Sequence, residues 1–96
     1  MSYYLFEVID KSRRKIILTR ERWQHITQEH PHINNPELIK ENLVHPLKIT
    51  GSKYDSYHVC YYYRYLKTTK KYLFVAVKYL NGEGFVITAY YMRKIE

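Results

Sequence analysis

The sequence predicts an α+β fold in which N-terminal strands and two short helices are followed by a curved antiparallel β-sheet. Helix start signals occur only in the first half of the chain, at Thr19 and at Asn35–Pro36. From Leu47 onward the pattern is typical of strands, and the segments between them are too short for crossover connections. With 96 residues, the chain is expected to form one domain over residues 1–96.

Two strands and a helix are predicted before the first proline. Residues 3–9 and 15–18 read as strands on either side of a polar turn. Thr19 is a suitable N-cap for a helix that runs to about Glu29. Pro31 ends this helix, because the residue before a proline avoids the α region.

A second helix and four more strands follow. Asn35 is its predicted N-cap, Pro36 occupies its first position and Pro46 follows its end. Alternating apolar residues then predict strands at 47–50, 57–66, 72–80 and 85–91. The last three are expected to form an antiparallel meander.

Charge and aromatic content favour RNA as the partner. Lys and Arg number 16 against 9 Asp and Glu, for a formal net charge of +7, and such an excess attracts polyanions. The 12 tyrosines offer rings that can stack on bases. A solvated basic face and tyrosines used simply as strand residues would give the same composition.

Several classes of protein are disfavoured. Cys60 is the only cysteine, which excludes an internal disulfide and a thiolate zinc cage. The apolar stretches, such as 73–77, are too short to span a bilayer, and the N-terminus lacks the pattern of a signal peptide. A cytoplasmic protein without membrane attachment is therefore expected. Because Asn81–Gly84 reads as a hairpin turn rather than a phosphate-binding loop, no cofactor is expected.

The first predicted helix carries two candidate acid–base groups, His25 and His30. Imidazole gives or takes a proton near neutral pH, which suits phosphodiester cleavage without a metal. A core histidine at position 30 and a solvated one at position 25 are the competing interpretations. A zinc cluster of His30 and His32 with either His25 or Glu29 lacks any standard ligand spacing, so no metal is assigned.

Arg64 lies in an aromatic strand, where a guanidinium requires an anion, a carboxylate or a route to water. With turns of two or four residues, pairing would put Arg64 near Leu73 and Thr88 near Val77, on one face. A three-residue turn at 82–84 would instead bring Lys78 opposite Thr88. The sequence does not decide between these registers.

Four segments, in order, resemble a known family. They are Thr19-Arg-Glu-Arg-Trp-Gln-His-Ile-Thr-Gln-Glu-His-Pro, Leu43-Val-His-Pro, Lys71-Lys-Tyr-Leu-Phe-Val-Ala-Val-Lys and Gly84-Phe-Val-Ile-Thr-Ala-Tyr-Tyr. Together they resemble the phage-associated nuclease-like domains of the barnase–EndoU–colicin–RelE fold group, over about Lys15 to Ile95. In one departure, His32 stands where some relatives have an acidic residue.

The resemblance implies a toxin-like, metal-independent endoribonuclease that cleaves RNA by attack of a 2′-hydroxyl, leaving a 2′,3′-cyclic phosphate. The residues that it implies for catalysis are His25, His30, Arg64 and Thr88. Those implied for substrate binding are Lys78, Tyr62, Tyr63 and Tyr90. It also implies an acidic antitoxin or immunity protein as a second partner.

Two other functions fit the same residues. One is a non-catalytic RNA-binding module that uses the basic, tyrosine-rich sheet. The other is a basic interaction domain that docks an acidic protein. The sequence determines neither the oligomeric state nor the RNA target, and activity does not follow from fold alone.

Overall fold

A mixed sheet of six strands and two helices make up residues 3–95, the part of the chain described by a computed structural model. The sheet order is β1-β2-β6-β5-β4-β3, and the neighbours are antiparallel except for the parallel pair β2–β6. In chain order the elements are β1 (Tyr4–Ile9), β2 (Lys15–Thr19), α1 (Arg20–Glu29), α2 (Pro36–Val44), β3 (Lys48–Gly51), β4 (Val59–Leu66), β5 (Lys71–Leu80) and β6 (Glu83–Met92).

The predicted α+β class is confirmed. The strands that follow the helices are antiparallel, as expected, and β4, β5 and β6 form the predicted meander. The parallel contact, which joins the β1–β2 hairpin to β6, was not predicted. It requires the last strand to lie beside the second, and no local sequence signal specifies so distant a pairing.

Both helices begin where the capping residues predict. The Thr19 side chain accepts a hydrogen bond from the backbone N–H of Arg22 at 3.1 Å. Asn35 accepts one from the N–H of Glu37 at 3.0 Å, with Pro36 in the first turn. Each cap satisfies a donor that the helix itself leaves without a partner.

The main core lies between the helices and one face of the sheet. Along β5, alternate residues face it, in keeping with the two-residue period of a strand. Its central members are Ile16, Leu18, Ile26, Ile39, Leu43, Tyr62, Leu73, Val75, Val77, Val86 and Ala89. The opposite, helix-free face carries a smaller cluster built around Tyr63, Phe74 and Ala76. The helices therefore leave one face of the sheet uncovered.

The register of β6 differs from both sequence alternatives. The β5–β6 turn consists of Asn81 and Gly82, which have positive φ angles of 53° and 82°, as a two-residue hairpin turn requires. The register then shifts between Ala76 and Val77, so that Thr88 pairs with Ala76. Lys78 pairs with Phe85. Because each one-residue shift exchanges the two faces, Thr88 lies on the helix-free face.

No helix among residues 3–95 has both the length and the apolar character needed to cross a membrane.

Candidate active-site cleft

The candidate site lies along the edge of β6 that β2 leaves uncovered. Pairing between β2 and β6 ends at Ile17 and Phe85, and β2 ends at Thr19, the N-cap of α1. Within residues 3–95, no further strand pairs with this side of β6. The first helix passes over the edge and contacts β6 more than any other strand, so its side chains meet those of the second half of β6.

One face of α1 supplies the helical side of the site. Arg22, His25, Ile26 and Glu29 follow the spacing i, i+3, i+4 and i+7, which places them on one side of the helix. His30 follows as the C-cap residue. Ile26 is buried in the main core and fixes the position of the helix. The polar members of this face consequently point toward the edge of the sheet.

These residues and β6 enclose an open cleft of about 330 Å³. Its lining residues are Arg22, His25, Ile26, Glu29, His30, Ile87, Thr88 and Tyr90. Four of the predicted site residues, two histidines from the helix and two hydroxyl residues from the strand, are thus brought together. They were separated by up to 65 positions in the chain (90 − 25).

His30 is held against the sheet through a row of aromatic rings. Its imidazole lies 5.3 Å from the ring of Tyr90, measured between centroids. Tyr90 stacks on Phe74 at 4.6 Å with an angle of 20° between the planes, and Phe74 meets Tyr61 at 4.9 Å. Such contacts restrict the movement of each ring. The His30 imidazole is half-buried and lines the cleft together with Thr88 and Tyr90.

His25 is more accessible, with a side chain that is 53% exposed and an Nε2 atom 4.0 Å from Glu21 Oε1. The cleft therefore contains one exposed and one half-buried imidazole. Arg22 supplies a fixed positive charge and Glu29 a carboxylate. This combination provides proton donors and acceptors on one wall and hydroxyl donors on the other.

Two smaller cavities extend the cleft along β6. One, of about 260 Å³, shares Arg22 and Ile87 with it and brings in Lys78. The other, of about 230 Å³, shares His30 and Tyr90 with it. This second cavity adds His32 and Lys71. Lys78 is therefore a neighbour of the cleft, next to Arg22 rather than opposite Thr88.

Arg64 is not part of the cleft. It pairs with Leu73, as one alternative predicted, and this pairing places it on the face covered by the helices. There its Nη1 donates to the carbonyl oxygen of His45 at 2.6 Å. That carbonyl lies at the C-terminal end of α2, where carbonyl groups lack partners within the helix. Arg64 thus stabilises the end of a helix and does not face Thr88.

Tyr62 and Tyr63 are not placed to bind a substrate. The Tyr62 side chain is 0% exposed, and its hydroxyl bonds to Asp10 and Tyr79 inside the main core. Tyr63 is 6% exposed and packs against Phe74 on the helix-free face. Neither ring presents a face on which a base could stack.

Among the polar cleft residues, Arg22 was not singled out by the sequence, and Glu29 was considered only as a possible zinc ligand. Their spacing from His25, three residues before and four after, is the signal that could have found them. Within residues 3–95, no three His, Cys, Asp or Glu side chains converge as ligands for a metal ion. The polar side chains that line the cleft are two imidazoles, a guanidinium, a carboxylate and two hydroxyls.

Comparison with known proteins gave no match, either to a family model, to a curated protein or to a solved structure.

Proposed function

We propose that the chain is a metal-independent endoribonuclease that acts in the α1–β6 cleft. The observation that carries this proposal is the shared cavity of His25, His30, Arg22, Thr88 and Tyr90. Two imidazoles in one cleft allow one proton to be removed while another is supplied, at the same phosphate. The formal charge of +7 supports RNA as the polyanionic substrate.

In this mechanism one imidazole removes the proton from a ribose 2′-hydroxyl, whose oxygen attacks the adjacent phosphorus. The other imidazole gives a proton to the departing 5′-oxygen. The products are a 2′,3′-cyclic phosphate and a 5′-hydroxyl, and no water is consumed. Each proton-transfer role contributes about 10²- to 10⁴-fold to the rate.

Charge on the pentacoordinate phosphate is balanced by Arg22, with Lys78 from the adjoining cavity. Lys78 keeps the role that the family resemblance implies for it, and Arg22 takes the place of Arg64. The Thr88 hydroxyl donates to a non-bridging oxygen, since hydroxyls aimed at developing charge stabilise it. Tyr90 orients the nucleotide beside His30.

A cleavage assay on a single-stranded RNA in EDTA tests the proposal. We expect shortened products with cyclic phosphate ends, and no cleavage of the same oligomer carrying a 2′-deoxyribose at the cleaved position. His25→Ala and His30→Ala should each lower the rate by about 10²-fold or more. His45→Ala, at an exposed histidine outside the cleft, is the matched control and should leave the rate unchanged. Undiminished cleavage by the His25→Ala/His30→Ala double variant would exclude these histidines.

A non-catalytic RNA-binding module is the second candidate, favoured by the half-buried rings of Tyr61 and Tyr90, which lie on either side of the buried Phe74 on the helix-free face. Aromatic rows on a sheet bind single strands by stacking. Salt-sensitive binding of RNA that remains full length would select this function. A basic domain that docks an acidic protein would instead show no RNA affinity.

A cellular location and an inhibitor follow from the proposed ribonuclease function. Because its proposed substrate is RNA, the enzyme would act in the cytoplasm. An acidic antitoxin or immunity protein would inhibit the enzyme by covering the cationic cleft. Expression without such a partner should arrest growth, and His30→Ala should relieve the arrest. Arrest that persists with this variant would argue against a catalytic origin of the toxicity.

A further inference from the structure

A second pocket lies where three connections meet at one end of the sheet. The β1–β2 turn, the β3–β4 loop and the β5–β6 turn surround a cavity of about 440 Å³. It is lined by Arg14, Tyr57, His58, Tyr79, Asn81 and Gly82. None of these residues lines the α1–β6 cleft. From Gly82 to Thr88, six residues of strand separate the two sites by roughly 20 Å.

Two contacts hold the Arg14 side chain in place, and the second of them leads on to Asp10. Its guanidinium carbon lies 3.7 Å from the centre of the Tyr79 ring. Its Nε donates to Ser12 Oγ at 2.9 Å, and Ser12 in turn bonds to both carboxylate oxygens of Asp10 at 2.7 and 2.8 Å. Asp10 is 4% exposed and anchors this chain of bonds. An arginine fixed in this way loses little conformational freedom when it binds a ligand.

The guanidinium is oriented without an ion-pair partner. Among residues 3–95, no carboxylate oxygen lies within 4.0 Å of the Arg14 nitrogens. The Nε bond to Ser12 orients the guanidinium, which lines the pocket. The outer nitrogens of an arginine are the atoms that bind phosphate or carboxylate in a fork. The residues at 3–95 thus give Arg14 no carboxylate partner, and an anionic ligand can take that place.

The other side of the pocket combines rings and a backbone turn. His58 is oriented by Asp55, with Nδ1 and Oδ1 3.1 Å apart. The Tyr57 ring meets it edge-on at 4.9 Å and is 84% exposed, which leaves a flat apolar surface for stacking. No atom lies within 4 Å of the position that a Cβ would take at Gly82, so a ligand can approach the turn closely.

We propose that this pocket binds the phosphate of a nucleotide, with Arg14 on the phosphate and the base against Tyr57. A cation fork beside an exposed ring matches a phosphate attached to a base better than it matches a carboxylate, which brings no ring. The phosphate belongs either to a free mononucleotide or to an RNA chain. The proposal goes beyond the ribonuclease function and does not depend on cleavage.

Titration with adenosine monophosphate and with a non-cleavable single-stranded RNA, followed by NMR, tests the site. We expect resonances of His58 and of the β5–β6 turn to shift, and Arg14→Gln to weaken binding by about tenfold or more. Arg13→Gln is the matched control, because Arg13 is an exposed neighbour in the same turn, and it should change the affinity by less than about threefold.

The outcomes separate the two sources of phosphate. Binding of the mononucleotide that depends on Arg14 supports a nucleotide site, and binding of RNA alone with the same dependence supports a contact to the chain. Equal loss with Arg13→Gln, or equally tight binding of a polyglutamate peptide, would overturn the proposal. His30→Ala should leave binding here intact, so failure of this site and failure of the cleavage mechanism are distinguishable.

Arg14→Gln also removes the contact with Tyr79, so its folding must be checked by a thermal melt. Arg14→Lys provides a second test, since it keeps the charge but loses the fork. It should bind more weakly than the parent chain and more tightly than Arg14→Gln. Parent-like affinity in both variants, with both folded, would exclude Arg14 from the site.

Discussion

Replacing Asp10 by asparagine tests how much the buried polar network contributes to stability. The carboxylate sits at the end of β1 and accepts from Ser12 Oγ and from the backbone N–H of Arg14, the latter at 2.8 Å. The hydroxyl of Tyr62 donates to Oδ2, and that of Tyr79 lies 3.1 Å from the same oxygen. One carboxylate thus joins the β1–β2 turn to β4 and β5.

The expected loss of unfolding free energy follows from the loss of one acceptor, because an asparagine amide has one oxygen where the carboxylate has two. The Arg14 N–H needs an acceptor, so the single amide oxygen must stay with it and the NH₂ group must replace Oδ2. Tyr62 and Tyr79 then lose their charged acceptor. A hydrogen bond to a charged group contributes about 1.5–3 kcal/mol and a neutral one about 0.5–1.5 kcal/mol. For two hydroxyls the expected loss is about 2–3 kcal/mol, or roughly 10–20 °C in Tm for a domain of this size.

The loss of stability in Asp10→Asn should be larger at neutral pH than in acid. Burial acts to raise the pKa of Asp10, but the hydrogen bonds from Tyr62, Ser12, the Arg14 N–H and Tyr79 outweigh it and lower the pKa below its usual value. The carboxylate therefore contributes fully above its unfolded pKa of about 3.9. This contribution is lost as the pH falls through the lower, folded pKa, and Asp10→Asn lacks it throughout.

Urea unfolding followed by Trp23 fluorescence, at pH 7 and at pH 3, gives the comparison. The difference in unfolding free energy between the parent and Asp10→Asn should be largest at pH 7 and should shrink in acid. Asp55→Asn, at a partly exposed carboxylate in the β3–β4 loop, is the control and should cost less than about 1 kcal/mol. The reasoning would be refuted if the unfolding free energy of Asp10→Asn lay within about 0.5 kcal/mol of the parent value at pH 7. A difference between the two proteins that grows in acid would refute it equally.

Three further substitutions test contacts of the core and of the sheet beneath the helices. Gly84→Ala would place a Cβ 2.8 Å from the Tyr79 ring and should lower Tm through overpacking of about 1–3 kcal/mol. Asn42→Ala removes amide bonds of 3.2 and 2.9 Å to two strand carbonyls, and urea unfolding should show a loss of about 2 kcal/mol. Arg64→Gln should lower stability by about 1 kcal/mol but leave the RNA cleavage rate within about twofold, whereas a catalytic arginine would cost far more.

Local signals were sufficient for the helices and for the meander. The caps at Thr19 and Asn35 determine where each helix starts, because they act over two or three residues. The short β4–β5 and β5–β6 connections allow only antiparallel pairing. The cap at Thr19 and the stop at Pro31 likewise put His25 on the first helix, whereas His30 is the C-cap residue just beyond it.

The parts of the site that were not predicted depend on distant contacts. The face occupied by Thr88 is set by the register shift in the β5–β6 pair, and the role of Arg64 is set by where α2 ends above β4. Tyr62 and Tyr61 are adjacent in one aromatic run, yet only Tyr62 lies beneath the helices. The sequence around these residues is equally aromatic, so it carries no signal that separates them.

The cleft and the open edge of β6 have one structural cause. An unpaired strand edge exposes backbone donors and acceptors and invites pairing with other chains, so folded proteins shorten it or cover it. Here β2 pairs with β6 only as far as Ile17 and then turns into α1, which covers the rest of the edge with side chains. A helix cannot follow a strand as closely as another strand does, because its side chains hold the backbones farther apart. The gap that remains is the cleft, and Arg22, His25 and His30 line it because the helix that covers the edge must present some face to it.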